Sequence, residues 1–163
     1  MINIASEKND SSLTNVQPSD IQPNAVDLRL DQVLHINNKE FLLDEEQKKH
    51  RGTSKVGVDL RGYYNLPIGT YEVTFENIVS IADGEAGFVI TRSTLNRNGV
   101  YLTSGLYDAG IMAGALHVTS GSFKVKKGTS LGQFLLFKAE TLSLYDGDYG
   151  LNKEHDNKYK QEI

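Results

Sequence analysis

Residues 116–138, Leu-His-Val-Thr-Ser-Gly-Ser-Phe-Lys-Val-Lys-Lys-Gly-Thr-Ser-Leu-Gly-Gln-Phe-Leu-Leu-Phe-Lys, hold three short apolar segments parted by Gly-marked turns. Leu116-His-Val118, Phe123-Lys-Val125 and Leu131–Lys138 read as strands, with Lys126-Lys-Gly-Thr129 as the turn before the last of them. No long stretch of the chain has a convincing helical period, so the spacing predicts an all-β domain, a sandwich or barrel. Lys126 and Lys127 read as turn solubilisers. Gly132 and Gln133 interrupt the most apolar strand. A glycine there marks a bulge or the close approach of a ligand, and the glutamine needs a partner, either a structural hydrogen bond or a bound molecule.

Outward toward the N-terminus, Phe88-Val-Ile90 leads into the polar patch Arg92, Ser93, Asn96 and Arg97, followed by Gly105-Leu-Tyr-Asp-Ala-Gly110. Strand, cationic turn and a lone carboxylate on a tight loop suit the holding of a phosphate chain, since Ser and Arg donate to phosphate oxygens and glycines admit backbone N–H groups. A β-hairpin with a charged turn is the plainer alternative. Tyr71, Val73 and Phe75 alternate with Glu72, Thr74 and Glu76 as in a strand with one wet face. Val56–Tyr64 reads as a further strand, Leu66-Pro-Ile-Gly69 as a turn and Asp83-Gly84 as another. Residues 44–51, Asp-Glu-Glu-Gln-Lys-Lys-His-Arg, read as a short exposed helix or solvated loop.

Pro23 forces an extended approach to Val26, Leu28 and Leu30, which alternate with Asp27 and Arg29. Asp27 thus falls on the polar face of a short strand, either paired with Arg29 or a neighbour or serving function. Val33-Leu-His-Ile36 reads as a second strand. Residues 5–20 are rich in Ser, Asn, Asp and Gln and predict a loose arm or a lightly docked segment. At the other end, Tyr145, Tyr149 and Tyr159 stand among glycines and lysines, a mixture able to stack on a base, meet phosphates and act as a lid.

The chain of 163 residues fits one domain, and its net charge of −4 argues against a general nucleic-acid binder. It contains no Cys, which excludes disulfides and thiolate metal sites. No apolar run approaches a membrane span, and the first residues lack the blocks of a signal peptide, so a soluble cytoplasmic protein is expected.

Five segments in order, Ile21-Gln-Pro-Asn-Ala-Val-Asp-Leu-Arg-Leu30, Arg92-Ser-Thr-Leu-Asn-Arg97, Leu106-Tyr-Asp-Ala-Gly110, Gly128-Thr-Ser-Leu-Gly-Gln-Phe134 and Lys158-Tyr-Lys-Gln161, resemble the motifs of the dUTPase and dCTP deaminase superfamily. The resemblance implies a distorted β-barrel or jelly roll assembling as a homotrimer, with active sites at subunit interfaces. It also implies a polar N-terminal arm at 1–20, a barrel domain at 21–143 and a C-terminal tail at 144–163 closing over the site. Residue by residue it makes Asp27 a ligand of Mg²⁺ through water, Arg92 and Ser93 the phosphate-contacting pair, and Asp108 the acid that meets the deoxyribose and activates water. Gln133 lies near the phosphates, Lys158 and Gln161 grip them from the tail, and Tyr149 is the tail's aromatic partner. Arg97 resembles the deaminase pattern more than the dUTPase pattern.

The resemblance places a deaminase's water-activating Glu on the strand after Asp108, yet Ala115-Leu-His-Val-Thr119 carries no carboxylate and has His117 as its one titratable group. Hydrolysis of dUTP to dUMP and pyrophosphate is therefore the leading expectation. A dCTP deaminase, or a bifunctional dCTP/dUTP enzyme, is the alternative; a trimer that binds a nucleotide or protein without turnover is a third. The hairpin around Val100 to Gly110 is a residue or two shorter than the family's, and Ile111 and Met112 stand where an aromatic residue is expected. Base choice is accordingly left open by the sequence.

Overall fold

The computed structural model describes residues 1–107, 109–140 and 142, with 109–112 as backbone alone. The regular structure of the described chain is nearly all strand: β1 (Ser12–Leu13), β2 (Val26–Ile36), β3 (Leu42–Leu43), β4 (Lys48–Lys49), β5 (Thr53–Lys55), β6 (Tyr63–Ser80), β7 (Glu85–Thr91), β8 (Val100–Thr103), β9 (Ala109–Lys126) and β10 (Ser130–Lys138). One short helix, α1 (Ser93–Asn96), lies between β7 and β8. The main sheet runs β7-β10-β2-β6-β9-β8, with β1 on β6 and β5 on β2; β3 and β4 form a separate hairpin. Its two ends approach each other. Val89 N–H donates to Ser104 Oγ at 3.2 Å, Leu102 N–H to Thr91 Oγ1 at 2.8 Å and Tyr107 N–H to Gly87 O at 2.8 Å. Hydroxyls and one backbone bond thus cover edges that a fully paired barrel would close with a ladder.

The alternation in β2 places Val26, Leu28 and Leu30 in the core at 0% exposure, beside Val33, Val73, Phe75, Leu116, Phe134 and Leu136. Burying each such side chain contributes roughly 1.5–3 kcal/mol relative to leaving it in water. What the sequence divides into two strands, 26–30 and 33–36, is one strand that changes partners. Its first half pairs with β10, its second with β6, and the register slips between Leu30 and Gln32.

Several other expectations change for physical reasons. Leu66-Pro-Ile-Gly69 lies inside β6: Ile68 faces surplus residues of β9 between Val118 and Ser122, and the positive φ of 60° at Gly121 accommodates them. The segments 116–118 and 123–125 are therefore parts of one strand. The expected strand over 56–64 is mostly a turn, because the Asp59 carboxylate accepts from the N–H groups of Arg61 and Tyr63 before β6 begins. The 44–51 run is the β3–β4 hairpin. Asp44 accepts from the N–H groups of Glu46 and Gln47, an Asx-type turn that also holds its carboxyl below the usual range. Lys127 is more than a solubiliser, since its Nζ lies 2.9 Å from the buried Asp31 carboxylate.

The N-terminal segment is fastened along its length. Ile2 bridges to Leu136, Ile4 is buried in the core, and Ser12–Leu13 pair with Val79–Ser80. The 3% exposed Glu85 accepts from the Ser11 N–H and hydroxyl and from the Asp10 N–H, and Lys138 Nζ sits 2.5 Å from it. Among the described residues, no helix is long and apolar enough to cross a membrane.

Gly132 is the glycine on which the site depends. A Cβ there would lie 2.6 Å from Val89 Cγ1 and 3.0 Å from Leu102 Cδ1. Gly132→Ala is expected to cost about 1–3 kcal/mol by overpacking, read as a lowered urea midpoint with an unchanged slope.

Candidate functional site

Asp27 leaves the Gln22–Ala25 turn at the start of β2, directly opposite Gln133 on β10, and Gln133 is in turn opposite Ile90 on β7. Three adjacent strands therefore bring together residues from distant parts of the chain. Gln133 Nε2 donates to Asp27 Oδ1 at 3.0 Å, Arg92 Nη1 lies 3.5 Å from Asp27 Oδ2, and Gln22 Nε2 reaches that oxygen at 3.4 Å. Arg92 follows the end of β7 and is held there by its own N–H on Leu131 O at 3.1 Å and by Nη1 on Ser130 O at 3.4 Å. Asp27 is 3% exposed, whereas the Arg92 side chain is 40% exposed. A buried carboxylate thus steadies a guanidinium whose remaining donors face solvent, an arrangement that can receive an anion.

The sequence reading that pairs Asp27 with Arg29 or a neighbour holds for the neighbours, Arg92 and Gln133, and not for Arg29. Arg29 instead grips Asp20 with Nε and Nη2, at 3.0 and 2.7 Å, beside the turn at Pro18–Asp20. Burial pushes the Asp20 carboxyl up, but the Arg29 hydrogen bonds and the Gln17 N–H outweigh it and hold it below the ordinary range. Asp27 is left to the Arg92–Gln133 cluster. Gln133 has a protein partner, as its position in an apolar strand requires.

Ser93 opens α1 and is exposed, as is Arg97 at its end, whose N–H donates to Ser93 O at 3.2 Å. The structure places them one helical turn apart beside Arg92, with no side-chain bond to Asp27. Asp108, Tyr149, Lys158 and Gln161 lie outside the described residues. Tyr107 packs edge-on against Phe134 and donates its hydroxyl to Ala113 O, and burial pushes its phenol up to about 12. It therefore stays protonated near neutral pH and offers no general base.

His117 is occupied at both ring nitrogens, Nδ1 by the Thr70 hydroxyl at 3.2 Å and Nε2 by the Thr103 hydroxyl at 2.9 Å. It joins β6, β9 and β8 across one sheet face, which favours a structural role. The sequence reading missed Gln22 as a partner of Asp27, although it stands within the quoted Ile21-Gln-Pro segment. Among the described residues, no three or more His, Cys, Asp or Glu side chains group to hold a metal. Asp27 alone fits Mg²⁺ only in the manner that ion favours, through water and with phosphate oxygens completing the shell.

Residues 2–139 match the family described as dCTP deaminase-like. A probable deoxyuridine 5'-triphosphate nucleotidohydrolase of Methanosarcina barkeri is 34% identical over 139 residues, covering 79% of this chain and 80% of the relative. The Aeropyrum pernix protein of the same name is 30% identical over 135 residues, covering 79% and 84%. Among solved structures, 2'-deoxycytidine 5'-triphosphate deaminase from Agrobacterium tumefaciens superimposes with a TM-score of 0.57 at 14% identity, over 77% of this chain and 43% of that one. A mutant dUTPase of Staphylococcus bacteriophage 80alpha with dUpNHpp gives 0.51 at 12% identity, over 86% and 97%. The fold, the motif order and the match across residues 2–139 agree, and the chain belongs to the dCTP deaminase-like family within the dUTPase and dCTP deaminase superfamily.

Proposed function

We propose that the protein is a homotrimeric, cytoplasmic dUTP pyrophosphatase that converts dUTP and water to dUMP and pyrophosphate. The observation that carries this reading is the meeting of Asp27, Arg92 and Gln133 in a chain whose archaeal relatives are named as probable dUTP nucleotidohydrolases. Arg92, Ser93 and the tail's Lys158 and Gln161 bind the triphosphate, Tyr149 stacks at its base end, and Gln133 keeps Asp27 aligned. Mg²⁺, held by Asp27 through water, supplies charge neutralisation on the triphosphate when bound. Asp108 orients a water and accepts its proton as the oxygen bonds to the α-phosphorus. The bond from that phosphorus to the bridging α–β oxygen breaks, and its electron pair leaves with pyrophosphate. Arg92 and Lys158 stabilise the charge gathering there.

A second reading, deamination of dCTP, is favoured by the family description and by the presence of Arg97. Against it stand the strand Ala115–Thr119 without a carboxylate and a His117 held by two hydroxyls. Incubation with Mg²⁺ and a panel of dUTP, dCTP, dTTP and their monophosphates, with products identified by mass, separates the two. Conversion of dUTP alone to dUMP and pyrophosphate is the expected result. A uracil product from dCTP would replace the leading reading with the second.

A further inference from the structure

The turn that delivers Asp27 is held by a side chain from the other end of the N-terminal arm. Gln22 N–H donates to Ala25 O at 2.9 Å and Ile21 bridges to Val26, making a tight four-residue turn. The half-buried Asn3 places its amide nitrogen on both carbonyls of that turn, 2.6 Å from Gln22 O and 3.4 Å from Ala25 O. Its amide oxygen accepts the Ala5 N–H at 3.0 Å, so the amide can face only one way: the nitrogen is required at the turn and the oxygen at the arm. On one side of Asn3, Ile2 N–H donates to Leu136 O on the strand that carries Gln133; on the other, Ile4 is buried in the core. The arm therefore spans from the strand of Gln133 to the turn that presents Asp27.

From this geometry we infer that Asn3 is a positioning residue of the site. By stapling the Gln22–Ala25 turn, it fixes the height at which Asp27 meets Gln133 and Arg92 and aims Gln22 at the carboxylate. The inference rests on the pyrophosphatase reading only for what the placed carboxylate then does. Asn3 touches none of the groups assigned to substrate, so its effect has to pass through Asp27.

A double-mutant cycle between Asp27→Ala and Gln133→Ala, measured by urea unfolding, reads the alignment directly. It is run in the parent and again with Asn3→Ala or with Asn3→Asp, which keeps the acceptor for Ala5 and removes the donor. The parent is expected to show a coupling factor of about tenfold in the unfolding equilibrium constant, falling below about twofold in both backgrounds. Coupling that persists without the Asn3 amide overturns the inference, whatever the protein's activity. In parallel, calorimetry with α,β-imido-dUTP and Mg²⁺ is expected to show about tenfold weaker binding for Asn3→Ala, and an Ile4→Val arm variant should bind as the parent does. Lost coupling with unchanged binding would leave Asn3 as a stability residue and overturn its positioning role. A parent that fails to bind the analogue removes the pyrophosphatase reading, and the cycle alone then decides the placement of Asp27.

Discussion

Asp108→Asn is expected to lower dUTP turnover by about 10²–10⁴-fold while the variant still binds the nucleotide, because the amide keeps the shape of the carboxylate but cannot accept the proton of the attacking water. Single-turnover hydrolysis measures the loss, and calorimetry with α,β-imido-dUTP measures what survives. The split between the two is the informative part. An acid that mainly gripped the sugar would weaken binding and leave the chemical step near its parent rate, and unchanged turnover would remove Asp108 from the mechanism. A deaminase with its own base elsewhere would keep converting dCTP in the variant.

The largest expected loss of stability is at Glu85. Its carboxylate receives the Ser11 hydroxyl, the N–H groups of Ser11 and Asp10, and the Lys138 ammonium while almost fully buried. Glu85→Ala would strand the two buried Ser11 donors, while the exposed Lys138 ammonium and Asp10 N–H turn to water, at a cost of about 2–4 kcal/mol, read from urea unfolding. Burial pushes the Glu85 carboxyl up, but the Lys138 and Ser11 hydrogen bonds outweigh burial and hold it below its ordinary value of 4.5. A folded-state pKa below the unfolded one means that the group's contribution is fully present above 4.5 and disappears as the pH falls through the folded value. The parent should lose this increment on acidification below that point, and the variant should have none to lose. Equal acid sensitivity in the two would show that other carboxylates govern the transition.

The strands that were legible in the sequence are those whose period of two is unbroken. Val26, Leu28 and Leu30 announce the buried face of β2, and Tyr71, Val73 and Phe75 that of β6. What the sequence hid is continuity through irregularity. Pro67 and Gly69 look like a turn because they are found in turns, yet here they mark the point where β6 passes a bulge in β9. The polar N-terminal segment looks loose for a related reason. Composition counts Asn3, Asn9 and Ser11 as solvent-seeking, whereas Asn3 and Asn9 place their amide nitrogens on half-buried backbone carbonyls and Ser11 its hydroxyl on Glu85. Among the candidate site residues, the structure brings together those on or beside paired strands, as with Asp27 and Gln133. The contribution of Asn3 was not legible in the sequence, because nothing local to residue 3 specifies a turn nineteen positions later.

The partner change within β2 bears on how the protein is made. Asp27 and Gln133 are 106 residues apart, yet they are directly paired, and β10 is the last described strand to join. During synthesis the N-terminal half of β2 emerges early and has to wait for nearly the whole domain before its edge is covered, while its other half can already pair with β6. A half-made chain can therefore hold a β2–β6 sheet but no site, and the meeting of Asp27 with Gln133 should arrive abruptly, with β10.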